Sequence, residues 1–283
     1  MLPDGVSVRR DVVHTRLEGY RPLSLDLYLP DDGARAVCVY VHGGGWRMGS
    51  RRAGPGPLSP TSGRLFARMA SRGLAVAAVD YRLSGEARYP APPDDVRAGC
   101  RWLLDDEASP VRELPLVLFG VSAGGQMAAL CGLDASLPVQ AVALWYPATD
   151  LLGLPDDIEA VGGTPDRGPT SREALMLGAP AAQVPEVARE ASPVTRVRSD
   201  APPFLLVHGD ADVLVPAQQS RRLRDALLAT GARATLELVA GYDHMFTGMP
   251  DAELEAVLDR TTTFLLDQAD RRPGTALDDG APL

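Results

Sequence analysis

The run Leu116-Val117-Leu118-Phe119 passes directly into Gly120-Val121-Ser122-Ala123-Gly124, and the stretch from Gln126 to Leu130 then reads as the start of a helix. Few junctions constrain a fold as tightly. Four apolar residues in a row, closed by glycine, fit a strand buried on both faces, and such strands belong to parallel sheets covered by helices. A turn from strand to helix within five residues is tight and strained, so its flanking positions must be small. A serine at the tip is pushed out at the carboxyl end of the strand. It stands beside a helix N-terminus, whose amides and dipole favour negative charge. In that setting G-x-S-x-G reads as a nucleophile elbow.

The remaining pattern agrees with an α/β chain. Residues 8–15 and 23–29 read as an antiparallel entry pair. Continuous apolar strands are expected at 37–41, 74–79, 116–119, 139–145, 204–207 and 234–239. Helices are expected at 63–72, 94–106, 217–229 and 251–268, the last with Leu254, Val257, Leu258 and Leu265 on one stripe. The expected architecture is a mostly parallel central sheet with helices on both faces, formed by residues 1–268. Residues 150–202 break the alternation with prolines and glycines and no clear strand. A long irregular insertion between two core strands reads as a small cap over the site. Residues 269–283 are polar and rich in Gly and Pro, and read as a flexible tail.

Composition excludes several chemistries. The chain has 283 residues, a net charge of −9, and no lysine, so all 28 basic residues are arginine. A P-loop lysine, a Schiff base and pyridoxal phosphate chemistry are therefore ruled out on this chain. The acidic balance argues against a nucleic-acid partner. No run approaches the length of a membrane span, so no membrane partner is expected. Cys38, Cys100 and Cys131 stand far apart in apolar runs. An odd count without metal-like spacing fits a reducing compartment, and no metal and no cofactor are expected. With no apolar segment after Arg9-Arg10, the expected location is the cytoplasm. A homodimer is left open.

Serine is a weak nucleophile at neutral pH and needs an adjacent base. Of four histidines, His14 lies in the entry pair, His42 opens a glycine loop, and His208 ends a strand. His244 follows the last strand, in Gly241-Tyr242-Asp243-His244-Met245-Phe246, where a base for Ser122 is expected. The base needs a carboxylate between positions 122 and 244, on a strand-end loop. Asp212 fits best, Asp210 is its rival, and Asp243 is expected to face outward. Acyl transfer also needs pre-aimed amides for a developing oxyanion. Ala123, just after the serine, supplies one, and Gly44 and Gly45 of His42-Gly43-Gly44-Gly45-Trp46 supply others.

These pieces, together with Asp80-Tyr81-Arg82-Leu83, Ala191-Ser192-Pro193-Val194-Thr195 and His208-Gly209-Asp210-Ala211-Asp212, span nearly the whole chain. In them it resembles the α/β-hydrolase esterases of the hormone-sensitive-lipase-like and BD-FAE-like group. The resemblance implies a triad of Ser122, Asp212 and His244 and an oxyanion hole of Gly44, Gly45 and Ala123. Two positions depart from the family pattern. Val121 stands where an acidic residue is usual, and Met245 where glycine is usual. With Trp46, these two are the candidates for contact with substrate. The implied activity is hydrolysis of a small carboxylic ester, with amides and thioesters as further substrates of the same chemistry. The same triad would also serve a biosynthetic acyltransferase or cyclase, and a non-catalytic binding protein on this scaffold is the third reading. The insertion holds no aromatic residue and few large apolar ones: Leu151, Leu152, Leu154, Leu175, Met176 and Leu177. Short acyl groups are therefore expected to fit better than long ones.

Overall fold

A computed structural model describes residues 4–54 and 62–271. Eight strands form one sheet: β1 (Val6–Thr15), β2 (Leu23–Pro30), β3 (Ala36–Val41), β4 (Leu74–Val79), β5 (Leu116–Val121), β6 (Val139–Trp145), β7 (Phe204–Gly209) and β8 (Ala234–Val239). Their order is β1-β2-β4-β3-β5-β6-β7-β8. The pairs β1–β2 and β2–β4 are antiparallel, and every pair from β4 to β8 is parallel. The inner strands β3, β4, β5 and β7 are buried at every residue. That is why they read as unbroken apolar runs rather than as alternating ones.

Alternate side chains of each strand enter two cores. Val37, Val39 and Val41 face α2 (Ala91–Asp105), α3 (Ala123–Gly132) and α7 (Gln218–Ala229). Ala36, Cys38 and Tyr40 face α1 (Ser62–Ser71) and α8 (Asp251–Ala269). The sequence places the start of α2 at Asp94, but it begins at Ala91. Pro92 and Pro93 fall in its first turn, where a missing amide costs nothing. The expected tail begins inside α8, which runs to Ala269, and residues 272–283 lie outside the described residues.

Residues 150–202 contain no strand but do contain short helices: α4 (Leu154–Ala160), α5 (Arg172–Leu177) and α6 (Pro185–Glu190). They are tied to the body of the domain. Gln219 of α7 accepts the amides of Thr149 and Asp150 and donates to Asp157, which Arg222 also grips with two bonds. Leu151, Leu154, Met176 and Leu177 are buried in the core on this face. Strand order reverses across β3, since the chain moves to β4 on one side and then to β5 on the other. Open α/β sheets form their crevice beyond the carboxyl ends of strands at such a point.

Candidate functional site

The elbow stands at the end of β5. Ser122 is held at φ 53° and ψ −123°, a backbone state that side-chain-bearing residues rarely adopt. A Cβ at Gly120 would run into the Gly124 carbonyl and come within 2.7 Å of the Ala128 Cβ. A Cβ at Gly124 would meet the carbonyls of Val41 and His42. The two glycines therefore let strand, turn and neighbouring strand close on one another.

Ser122 donates its hydroxyl hydrogen to His244 Nε2 at 2.9 Å, and His244 Nδ1 donates to Asp212 Oδ2 at 2.7 Å. A carboxylate can only accept here, so the proton sits on Nδ1 and Nε2 is free to accept. Asp212 is 2% exposed and His244 8%. The other oxygen of Asp212 accepts the amides of Leu214 and Val215, each at 2.9 Å. Burial alone would raise the Asp212 carboxyl. The hydrogen bonds from His208 and His244 outweigh burial and hold it well below the usual carboxylate range. Asp210 is exposed and accepts the Gly241 amide, while Asp243 accepts the Thr247 amide. Geometry thus chooses Asp212 over its rival. The edge of the Tyr146 ring meets the His244 ring at 4.8 Å, and Phe246 and Trp145 close the aromatic wall behind it.

The glycine loop follows β3. Gly43 packs against the elbow, since a Cβ there would lie 3.2 Å from the Ser122 Cβ. Gly44 and Gly45 take φ 115° and 58°, values that glycine reaches without strain. Among the described residues, no acceptor takes the amide hydrogens of Gly44, Gly45 or Ala123. His42 braces this loop. Its Nδ1 donates to the Gly43 carbonyl at 2.7 Å, its ring stacks on Tyr81 at 4.3 Å, and burial pulls its pKa down to about 4. Asp80 grips Arg51, just past the loop, and Arg82 is locked on Asp95. Asp80 and Tyr81 therefore brace the glycine loop, and Arg82 ties the same segment to α2. Residues 55–61, beyond Arg51, lie outside the described residues.

The family model named BD-FAE matches residues 25–227. The chain belongs to the BD-FAE family. Among curated proteins it is 31% identical over 208 residues to "Esterase LipC" of Mycobacterium tuberculosis, covering 68% of this chain and 48% of that one. It is 30% identical over 258 residues to the isoprenylcysteine alpha-carbonyl methylesterase ICME of Arabidopsis thaliana, covering 84% and 56%. The chain thus spans about half the length of the curated relatives it matches. Among solved structures, a truncated carbohydrate esterase from gut microbiota superposes with a TM-score of 0.77 at 23% identity, covering 94% of this chain and 97% of that one. A thermophilic esterase from Thermogutta terrifontis superposes at 0.70 with 24% identity, covering 96% of each. These neighbours establish the α/β-hydrolase fold.

Two of the three expected substrate contacts in this BD-FAE member turn inward. Trp46 is 3% exposed, and its indole N–H donates to Gln126 Oε1 at 3.1 Å. It supports the glycine loop from behind instead of narrowing the mouth, because a large ring with one polar atom is best satisfied in the core beside an amide. Val121 is buried in the apolar cluster around Trp145. Met245 alone is open, at 45% exposure, with φ 70°. Three contributors went unread in the sequence. Gln126 bridges Trp46 and the Ala191 carbonyl, Tyr146 backs His244, and His208 reaches Asp212. Each acts through a tertiary contact that no local pattern records. Among the described residues no helix is long and apolar enough to cross a membrane, and no cluster of His, Cys, Asp and Glu would hold a metal ion.

Proposed function

We propose that this chain is a carboxylic ester hydrolase that works through an acyl-enzyme on Ser122. The hydrogen-bonded series Ser122–His244–Asp212 carries this reading. His244 Nε2 takes the hydroxyl proton as Ser122 Oγ attacks the ester carbonyl. The carbonyl oxygen gathers negative charge and is met by the amides of Gly44, Gly45 and Ala123. The imidazolium then returns its proton to the departing alkoxide, which leaves as the alcohol. Water, deprotonated by the same nitrogen, attacks the acyl-enzyme and releases the acid and free Ser122. Asp212 holds the ring in the tautomer this cycle needs and stabilises the imidazolium between steps.

Residues 150–202 serve as the cap, and Met245 lines the mouth. Leu151, Leu154, Met176 and Leu177 of that segment already fill the core, and Leu152 and Ile158 pack against it. Little is left for an acyl trough, in which each methylene buried contributes about 0.8 kcal/mol. The substrate is accordingly a small ester with a short acyl group. All three cysteines are free and buried, which suits a reducing cytoplasm.

The test is a fluorophosphonate probe followed by turnover of nitrophenyl acetate, butyrate, octanoate and palmitate. The probe is expected to modify Ser122, and kcat/KM to fall from acetate or butyrate toward palmitate. Failure of the probe to label Ser122 removes the nucleophile assignment. A steady rise toward palmitate removes the short-acyl reading.

A further inference from the structure

Asp212 accepts from two imidazoles. Besides His244, its Oδ2 lies 3.2 Å from His208 Nε2. That nitrogen is also 2.7 Å from the Val215 carbonyl, which can only accept, so it carries a hydrogen and shares it between the two oxygens. The far nitrogen, Nδ1, lies 2.7 Å from Ser220 Oγ on α7. With Ser220 donating, the whole path runs one way: Ser220 O–H to His208, His208 N–H to Asp212. Both His208 and Asp212 are buried at 0% side-chain exposure. The carboxylate therefore has four donors, two amides on Oδ1 and two imidazoles on Oδ2.

We propose that His208 is a positioning residue of this site: it fixes the plane of the Asp212 carboxylate and takes up part of its charge, so that Asp212 orients His244 without binding its proton too tightly. This rests on the reading of Ser122, His244 and Asp212 as the working triad. An oxygen that already accepts one N–H offers less charge to a second. Without His208, Asp212 would attract the His244 proton more strongly, stabilise the imidazolium further, and make the neutral base scarcer at a given pH. Other groups around the pair leave it this role. Tyr146 presents a ring edge, Asp210 and Asp243 are exposed and turned to the amides of Gly241 and Thr247, and Glu253 of α8 is engaged by Tyr242.

Three variants test it: His208→Leu removes the donor, His208→Gln keeps an N–H donor at a similar reach, and Ser220→Ala frees the far end of the ring. Ester turnover by the unaltered protein comes first, and its absence would overturn the triad reading itself. Where turnover is present, His208→Leu is expected to lower kcat on the order of ten-fold with little change in KM. It should also move the acid limb of kcat/KM upward by about half a pH unit. His208→Gln should restore most of both, and Ser220→Ala should shift the limb the same way by less. If His208→Leu does not fold, the other two decide. An acid limb and kcat unchanged in Ser220→Ala, with a shift in His208→Gln as large as full loss of the donor would give, contradicts the inference. So does a His208→Leu protein that folds and keeps the original kcat and acid limb, since His208 would then be only a core histidine.

Discussion

The elbow at Gly120–Gly124 and the loop at Gly43–Gly45 meet beside Ser122, and each is rich in glycine for a different reason. In the elbow, neither Gly120 nor Gly124 has a positive φ, and their lack of a side chain is a matter of space, because main chain lies where a Cβ would be. The left-handed conformation there falls on Ser122 instead. In the loop Gly44 and Gly45 carry the conformation themselves; main chain at the Met48 carbonyl also lies where a Cβ of Gly44 would be, whereas the neighbour of Gly45 is the side chain of Arg172, whose Cδ lies 2.6 Å from where a Cβ would be. One turn is closed by main chain packed on main chain, the other is bordered by main chain at Gly44 and by a movable side chain of α5 at Gly45. Six non-glycine residues among those described have positive φ, and five of them, Trp46, Ser122, Tyr146, Met245 and Phe246, stand on the loops that build this site. Strain is thus concentrated around the Ser122–His244 contact, as expected when surrounding structure over-determines a local geometry.

The largest effect separates the elbow's chemistry from its geometry. Ser122→Ala is expected to lower kcat about 10⁴-fold or more, since the triad acts as a unit. Its stability should be near that of the parent, because alanine bears the same backbone strain. A variant keeping a tenth of the activity would break the assignment. Asp212→Asn is expected to cost about 10⁴-fold by favouring the wrong histidine tautomer, and Asp210→Asn far less. Asp212 also leaves a mark on acid stability. Its folded carboxyl is depressed, so its contribution is present above the ordinary value of about 3.9 and is lost as pH falls through the folded one. Asp212→Asn should therefore lose stability less steeply than the parent in denaturant melts below about pH 4.

Next come the two glycines themselves. Gly124→Ala would drive a methyl into the Val41 and His42 carbonyls, and a loss of about 3 kcal/mol is expected in urea unfolding. Gly45→Ala meets a side chain that can move, so its stability loss should be nearer the 1–2 kcal/mol cost of a left-handed residue, about 1 kcal/mol. Its kcat should still fall on the order of 10²-fold, because one oxyanion amide is re-aimed. Equal stability losses in the two variants would erase the distinction between the turns.

Much of this was legible before any coordinates. Unbroken apolar runs gave the parallel strands because burial on both faces leaves no alternation. The elbow serine, the glycine loop and the order of acid and histidine gave the geometry of Ser122, Asp212 and His244. The short helices of residues 150–202 were not legible. Each of α4, α5 and α6 spans only six or seven residues, too few for a periodic stripe, and α4 and α6 carry a proline in the first turn. Trp46 reads in the sequence as a candidate substrate contact because sequence neighbourhood does not say which way a ring turns. Whether it faces the cavity or Gln126 is set by α3, eighty positions further on. His208 was read as a structural histidine at a strand end, and the contact with Asp212 that gives it a further part depends on how the loop after β7 folds back.

The smallest effect concerns a third turn, at the mouth. Met245 is held at φ 70° and ψ 7°, where a Cβ crowds the main chain. Unlike Ser122, it supplies no atom to the hydrogen-bonded series, and at 45% exposure it gives up little buried area if removed. Met245→Gly would relieve a strain of roughly 1–2 kcal/mol. Against this stands the greater freedom of glycine in the unfolded chain, roughly 0.5–1 kcal/mol. The expected net is a gain of about 0.5 kcal/mol, read as a small rise in Tm. Met245→Ala keeps the Cβ and its strain, so it should show no such rise. If alanine stabilises as much as glycine, the methionine side chain and not the backbone is the source of the cost. Strain in this site would then be confined to the elbow, to Trp46 on the glycine loop and to the aromatic wall behind His244.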